Sequence, residues 1–248
     1  MGKAEEYRKT LRTLADWEPF LLKESGLPGP RGNLELAQAV ADEGREEQFL
    51  RWAALGADQA PVNMPGEFLA FCGVVGLGRL LAEGRRDMLH ILRARASDSR
   101  WRTREAVAMA LQRLGDADMA ALLGEMERWS RGGLLEKRAA AAGLCEPRLL
   151  REKRHTARVL RILDKITASL SQIADRKGED FKTLRKGLAY CWSVAVAALP
   201  EQGKAYMEKW LASSDRDVRW IMRENLKKNR LARMDAAWVA ECLARLEP

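Results

Sequence analysis

Thr103-Arg104-Glu105-Ala106-Val107-Ala108-Met109-Ala110-Leu111 is the stretch that decides the fold. Its less polar residues, Thr103, Ala106, Val107, Ala110 and Leu111, continue to Leu114 at spacings of three and four. That spacing places them on one face of an α-helix. The same nine-residue pattern returns at residues 136–144, 33 positions on, at 184–192 after 48 more, and at 218–226 after another 34. A base holds the second place each time (Arg104, Lys137, Arg185, Arg219). A small or apolar residue holds the fourth, and Leu111, Leu144, Trp192 or Leu226 the ninth. Residues 67–75 fit more loosely, with Phe68 where the base belongs, and residues 32–40 more loosely again. Self-similarity at such a period marks stacked supersecondary units.

The surrounding composition agrees. Phe, Tyr and Trp total 6%, alternating β-branched runs are hard to find, and Ala, Leu, Arg, Glu and Lys dominate. These are helix formers. Turn residues recur at Pro28-Gly29-Pro30, Pro61, Pro65-Gly66, Gly84, Gly115, Gly132-Gly133, Pro147, Gly178, Pro200 and Gly203. Helices of roughly 10–20 residues fit between them. First helices of successive units are predicted at 87–96, 119–129, 151–173 and 201–212, with an exposed polar loop at 175–180. Each two-helix unit leaves an apolar face that only its neighbour covers, so the units stack. The expectation is one all-α domain over residues 1–248. It comprises a divergent N-terminal cap at 1–60, clearer repeats at 61–235 and a C-terminal capping helix at 236–248.

The pattern resembles the HEAT-repeat family, whose second helix commonly reads D-x-x-x-x-V-R-x-x-A-x-x-A-L. Asp98 stands six residues before Arg104, at the family spacing, and Ser213-Ser214-Asp215-Arg216-Asp217-Val218-Arg219 is a displaced version. The resemblance implies a right-handed α-α superhelix of about five to six helix pairs. It implies a binding scaffold that holds a macromolecular partner, protein or nucleic acid, in the groove of its second helices.

Other readings bound the function. Hydrophobic residues at 47% and charged residues at 31% exclude a disordered chain. No uninterrupted apolar run approaches bilayer-spanning length, and the charged N-terminal residues lack a signal-peptide core, so no membrane partner is expected. Cys72, Cys145, Cys191 and Cys242 are far apart and set among apolar residues, as in Tyr190-Cys191-Trp192. Buried free thiols and a cytoplasmic location are expected. His90 and His155 have no partner at metal or triad spacing, and the carboxylates are scattered. No catalytic residue, metal ligand or cofactor is assigned.

Charge is uneven. Residues 1–60 carry 8 basic and 11 acidic groups, and residues 151–248 carry 21 and 13. A positive field of this kind attracts phosphate backbones. The candidate nucleic-acid-binding residues are the repeated bases and their neighbours: Arg104, Lys137, Arg138, Arg185, Lys186, Arg219, Trp220, Arg223 and Lys227. Helical spacing adds Arg216 and Arg230 to the same side of the last repeat. Two other roles stay open: holding adjacent repeats in register through an acid, or solubilising the surface. A further resemblance, to the HEAT-like alkylpurine DNA glycosylase and DNA alkylation repair family, implies a basic face for DNA. It also implies an aromatic (Trp101, Trp192 or Trp220) beside a carboxylate (Asp98, Asp180 or Asp215). Trp192 sits at a core position, which favours packing. Residues 23–35 lack phosphate-loop spacing and read as a turn entering a helix, with Trp17, Phe20 and Leu21 packed beneath it.

Overall fold

The computed structural model describes residues 2–246, which leaves Met1 of the expected N-terminal cap and Glu247 and Pro248 of the expected C-terminal helix outside the described residues. Among the described residues there are fifteen α-helices, two short 3-10 turns and no strand. The chain divides into two compact units, residues 1–117 and 118–248.

The first unit contains α1 (Lys3–Thr13), α2 (Glu18–Glu24), α3 (Leu34–Glu43), α4 (Glu46–Ala53), α5 (Pro65–Ala82), α6 (Met88–Arg95) and α7 (Trp101–Ala117). In it α1, α3, α5 and α7 pack in series, with α4 against α5 and α6 against α5 and α7. Trp17 and Leu21 are buried, Phe20 is half-buried with its ring centre 6.3 Å from that of Tyr7, and the Asn33 side chain caps α3 by accepting from Leu36 N at 3.0 Å. At α5 one expectation needs correcting. Its 18 residues are long and apolar enough, by length and composition, to cross a bilayer. Glu67, Arg79 and four glycines interrupt the run, so no uninterrupted apolar stretch announces it. It is apolar nearly all round because α3, α4 and α7 cover it, as a core helix requires.

The second unit contains α8 (Met119–Trp129), α9 (Leu134–Leu144), α10 (Lys153–Ala168), α11 (Glu179–Ala198), α12 (Pro200–Leu211), α13 (Arg216–Leu226), α14 (Asn229–Met234) and α15 (Ala236–Ala244). The pairs α8/α9, α10/α11 and α12/α13 pack within themselves. Across pairs, α9, α11 and α13 form one layer, and α8, α10 and α12 the other. This sequential two-layer packing is that of an armadillo/HEAT-like α-solenoid. Asn225 ties two repeats together. Fully buried on α13, it accepts from Ser193 N at 2.8 Å and donates to Leu188 O at 2.9 Å, both on α11.

Two predicted breaks are not breaks. Helix α7 runs through Gly115, and α12 runs through Gly203. A Cβ at Gly203 would lie 2.6 Å from Val196 Cα, so this glycine permits a close crossing of α11 and α12. The 175–180 loop is shorter than expected, since α11 begins at Glu179, and Arg176 within it is half-buried.

Candidate nucleic-acid interface

The repeated bases occupy equivalent places. Arg104, Lys137 and Arg219 are each the fourth residue of their helices (α7, α9, α13), and Arg185 is the seventh of α11, which starts a turn earlier. Their environments differ. In the first unit, Arg104 Nη1 donates to the carbonyls of Asp98 at 2.6 Å and Ser99 at 2.9 Å, closing the turn before its own helix. In the second unit, Lys137 is half-buried and Lys186 is exposed. Arg138 lays its stem over Gly187, where an added Cβ would sit 3.2 Å from Arg138 Cγ.

Arg185 and Asp217 carry the link between α11 and α13. Arg185 Nη1 donates to Asp217 Oδ1, and the guanidinium lies 4.3 Å from the centre of the Trp220 ring. Arg176 reaches in from the preceding loop. Its Nη1 donates to Asp217 Oδ2 at 3.2 Å and to Asp215 Oδ1 at 2.8 Å, and its Nη2 to Asp215 Oδ2 at 2.7 Å. Asp215 also caps α13. The Arg176 hydrogen bonds outweigh the upward push of burial and hold the Asp215 carboxyl below its ordinary range.

Outside this tied group stands a row of cations. Arg216, Arg219 and Arg223 follow one another at helical spacing, so they share a face of α13. Together with Arg185, Ser214 and Trp220 they line a recess of about 310 Å³. Arg219 and Arg223 donate to the Leu246 carbonyl at 3.3 and 3.0 Å. Among the described residues none of these three meets a carboxylate. Asp217, the acid lining the same recess, is already engaged by Arg185 and Arg176.

A second, wider recess of about 680 Å³ follows, lined by Lys227, Lys228, Arg230, Arg233 and Tyr190. Lys227 pairs with Glu224, and the Arg230 guanidinium lies 4.8 Å from the Tyr190 ring centre. Tyr190 is 46% exposed, so it is not part of the apolar setting of Cys191.

Comparison with known proteins adds no family and no partner. No family model matches the chain, and no curated protein matches it. Two solved structures align over most of it. One is an engineered protein (14% identity, 94% of this chain and 98% of that chain, TM-score 0.37). The other is a designed armadillo repeat protein (13% identity, 91% and 99%, TM-score 0.36). Likenesses this distant carry nothing about ligands.

Of the residues chosen from sequence, Arg185, Arg219, Trp220 and Arg223 are brought together in one recess, and Lys227 lines the next. Arg104 belongs to the other unit. Of the aromatics and carboxylates suggested by the glycosylase resemblance, Trp101 is exposed and Trp220 half-buried, and three others are committed. Trp192 is fully buried, with Nε1 donating to Thr167 Oγ1 at 3.1 Å. Asp98 is bound by Arg100, and Asp215 by Arg176. Asp180 is exposed at the start of α11. Sequence reasoning missed Tyr190, Lys228 and Arg233 as surface groups, and Arg176 as the clamp. Tyr190 precedes the buried pair Cys191 and Trp192. The helical phase set by Leu188 and Trp192 turns it outward, a signal that was available in the sequence.

Proposed function

We propose that this chain is a binding scaffold whose α13–α14 surface holds the phosphate backbone of nucleic acid. The observation that carries the reading is the set Arg216, Arg219 and Arg223, three guanidiniums on one helix face that meet no carboxylate among the described residues. Guanidiniums that meet no carboxylate among the described residues, at this spacing, suit successive phosphates, which they bind bidentately. The cations of the second recess extend the track, and Tyr190 and Trp220 offer ring surfaces suited to stacked bases.

The test is fluorescence anisotropy with labelled 20-nucleotide single strands and 20-base-pair duplexes across 50–200 mM salt. Four phosphate contacts predict a loss of affinity of about 100-fold over that range. Converting Arg216, Arg219 and Arg223 to alanine should remove about three contacts from the salt slope. Converting Arg151, Arg154 and Arg161, which lie on or just before α10 in the other layer, matches the charge change and should leave most of the slope intact. Equal effects of the two triple variants would sink the reading. Tight, salt-insensitive capture of an acidic or apolar protein segment would replace it with a protein-binding groove.

A further inference from the structure

The first unit holds a recess of different chemistry. It has a volume of about 250 Å³ and its walls are Leu27, Leu34, Phe68, Phe71, Trp101 and Met109, with Arg31, Arg102 and Glu105 as the charged groups. Leu27, Phe68 and Phe71 are buried, whereas Trp101 is 46% exposed. Phe68 and Phe71 present rings only 10° from parallel, with centres 6.2 Å apart.

The walls are held in place. Arg102, itself buried, donates from Nη1 to Glu67 Oε2 at 3.0 Å and from Nη2 to Gly29 O at 2.6 Å and Asn63 Oδ1 at 3.2 Å. Asn63 Oδ1 also accepts from Gly29 N at 3.0 Å, so the loop carrying Leu27 is clamped to the start of α5. The Arg102 guanidinium lies 4.5 Å from the Trp101 ring centre, which fixes that side chain on the other wall.

From these observations we infer that the recess is a binding site for a small, uncharged, bicyclic aromatic molecule of indole size. Volume sets the size. An apolar cavity of about 150 Å³ lined by Leu, Ile and Phe takes benzene, so 250 Å³ admits a second fused ring. It is small beside the about 300–1,000 Å³ of drug-sized sites. Charge sets the polarity. Arg102 is neutralised by Glu67, and the two remaining charged lining residues, Arg31 and Glu105, are of opposite sign, so the lining carries no net charge to select an anion or a cation. The near-parallel phenyl rings and the Trp101 ring favour a flat aromatic over a branched aliphatic body.

Indole itself is the probe, followed by calorimetry and by saturation-transfer NMR on the full chain. We expect one site with a Kd of about 10 µM to 1 mM, within the range open to a fragment of this size. Naphthalene-1-sulfonate, similar in shape but anionic, should bind at least about tenfold more weakly because the lining carries no net positive charge to offset desolvation of the sulfonate. At Gly32 an added Cβ would lie 3.6 Å from Phe68 Cδ2, an ordinary contact, so Gly32→Leu projects into the recess without backbone conflict. Gly32→Leu and Met109→Trp fill the site from opposite walls, and each should weaken indole at least tenfold at unchanged helicity. Two fillings keep the test decisive if one variant folds poorly. The proposal fails if indole does not bind the wild type at millimolar concentration, if affinity is unchanged in a folded filled variant, or if the sulfonate binds as well as indole. It also fails if the recess captures apolar peptides but not the free ring.

Discussion

Arg185 on α11 and Asp217 on α13 are joined by a charge-assisted hydrogen bond, and the same guanidinium lies over Trp220. A base at the repeat's second position therefore finds the acid of the next repeat, and the bond sets the register of neighbouring helices. Asp217 is 8% exposed and serves Arg176 as well. Converting Asp217 to alanine leaves Arg185 without its carboxylate and Arg176 with Asp215 alone. A fully buried broken pair costs about 3–5 kcal/mol. Both arginines here are more than a quarter exposed, so a loss of about 1–3 kcal/mol is expected from urea unfolding. The same variant frees Arg185, while Arg176 stays on Asp215, and should steepen the salt dependence of nucleic-acid binding. A loss of stability with an unchanged or shallower slope would mean that Arg185 serves register alone.

Arg100, fully buried in the first unit, is the second structural cation. Nε and Nη2 bond Asp98 at 2.9 and 2.7 Å, Nη2 also bonds Leu55 O at 2.8 Å, and Nη1 bonds Ala60 O at 3.1 Å and Gly56 O at 3.3 Å. All five donors are satisfied. Arg100→Ala should cost about 3–5 kcal/mol, since it strands three carbonyls and leaves Asp98 only the residue-100 N–H at 2.9 Å and Arg95 at 3.4 Å. Burial pushes the Asp98 carboxyl upward, but Arg100 outweighs it and the folded value lies below the ordinary one. The stabilisation is thus complete above the unfolded value of about 3.9 and fades as pH falls through the lower folded value. Urea midpoints measured from pH 7 to pH 2.5 should drop below about pH 4. In Asp98→Asn they should start lower at pH 7 and decline less. A parallel decline in both proteins would assign the acid sensitivity elsewhere.

How the helices approach one another gives a sharper contrast. A Cβ at Gly73 on α5 would collide with Ala53 N and come within 2.8 Å of the Trp52 carbonyl carbon. At Gly78 it would lie 2.5 Å from Ala110 Cα on α7. The obstacles are backbone and cannot rotate away. Gly73→Ala and Gly78→Ala should each destabilise by about 1–3 kcal/mol or more. Gly124, inside α8, has open space around it, and Gly124→Ala should stabilise by about 0.5–1 kcal/mol through helix propensity. Thermal melts of the three variants read the difference directly. Equal shifts would show that propensity, not close approach, governs these positions.

The helices were legible where a periodic apolar face met a strong start signal. Residues 119–129 match α8 to the residue, because Asp118 caps it and Ser130-Arg131-Gly132 ends it. The bases were legible as a repeat, but not the division of labour among them. Whether an arginine is tied depends on what lies across the next helix. Asp217 reaches Arg185 from 32 residues away and Arg176 from 41, and no local pattern reports such a pairing. Glycine was ambiguous for the same reason. Gly178 precedes a helix and Gly203 lies inside one. What separates them is the nearness of Val196, a tertiary fact.

The thiols close the argument on the core. All four cysteines are buried. Burial alone lifts Cys72 far above its ordinary range, and burial with Cys191 beside it does the same for Cys145. Cys242, on the last helix α15, is pushed up to about 11, by burial first and then by Glu208. A thiol reacts as the thiolate, so at pH 8 burial opposes attack on all four, and suppressed ionisation opposes it further at Cys72, Cys145 and Cys242. Native protein should show almost no reaction with Ellman's reagent over minutes, and four equivalents should appear in 6 M urea. Any slow native reaction should fall on Cys242, which mass mapping of the labelled peptide would identify. Prompt labelling of Cys72 would mean that the α3–α5–α7 packing opens readily, and that the clamped aromatic recess in the same unit opens with it.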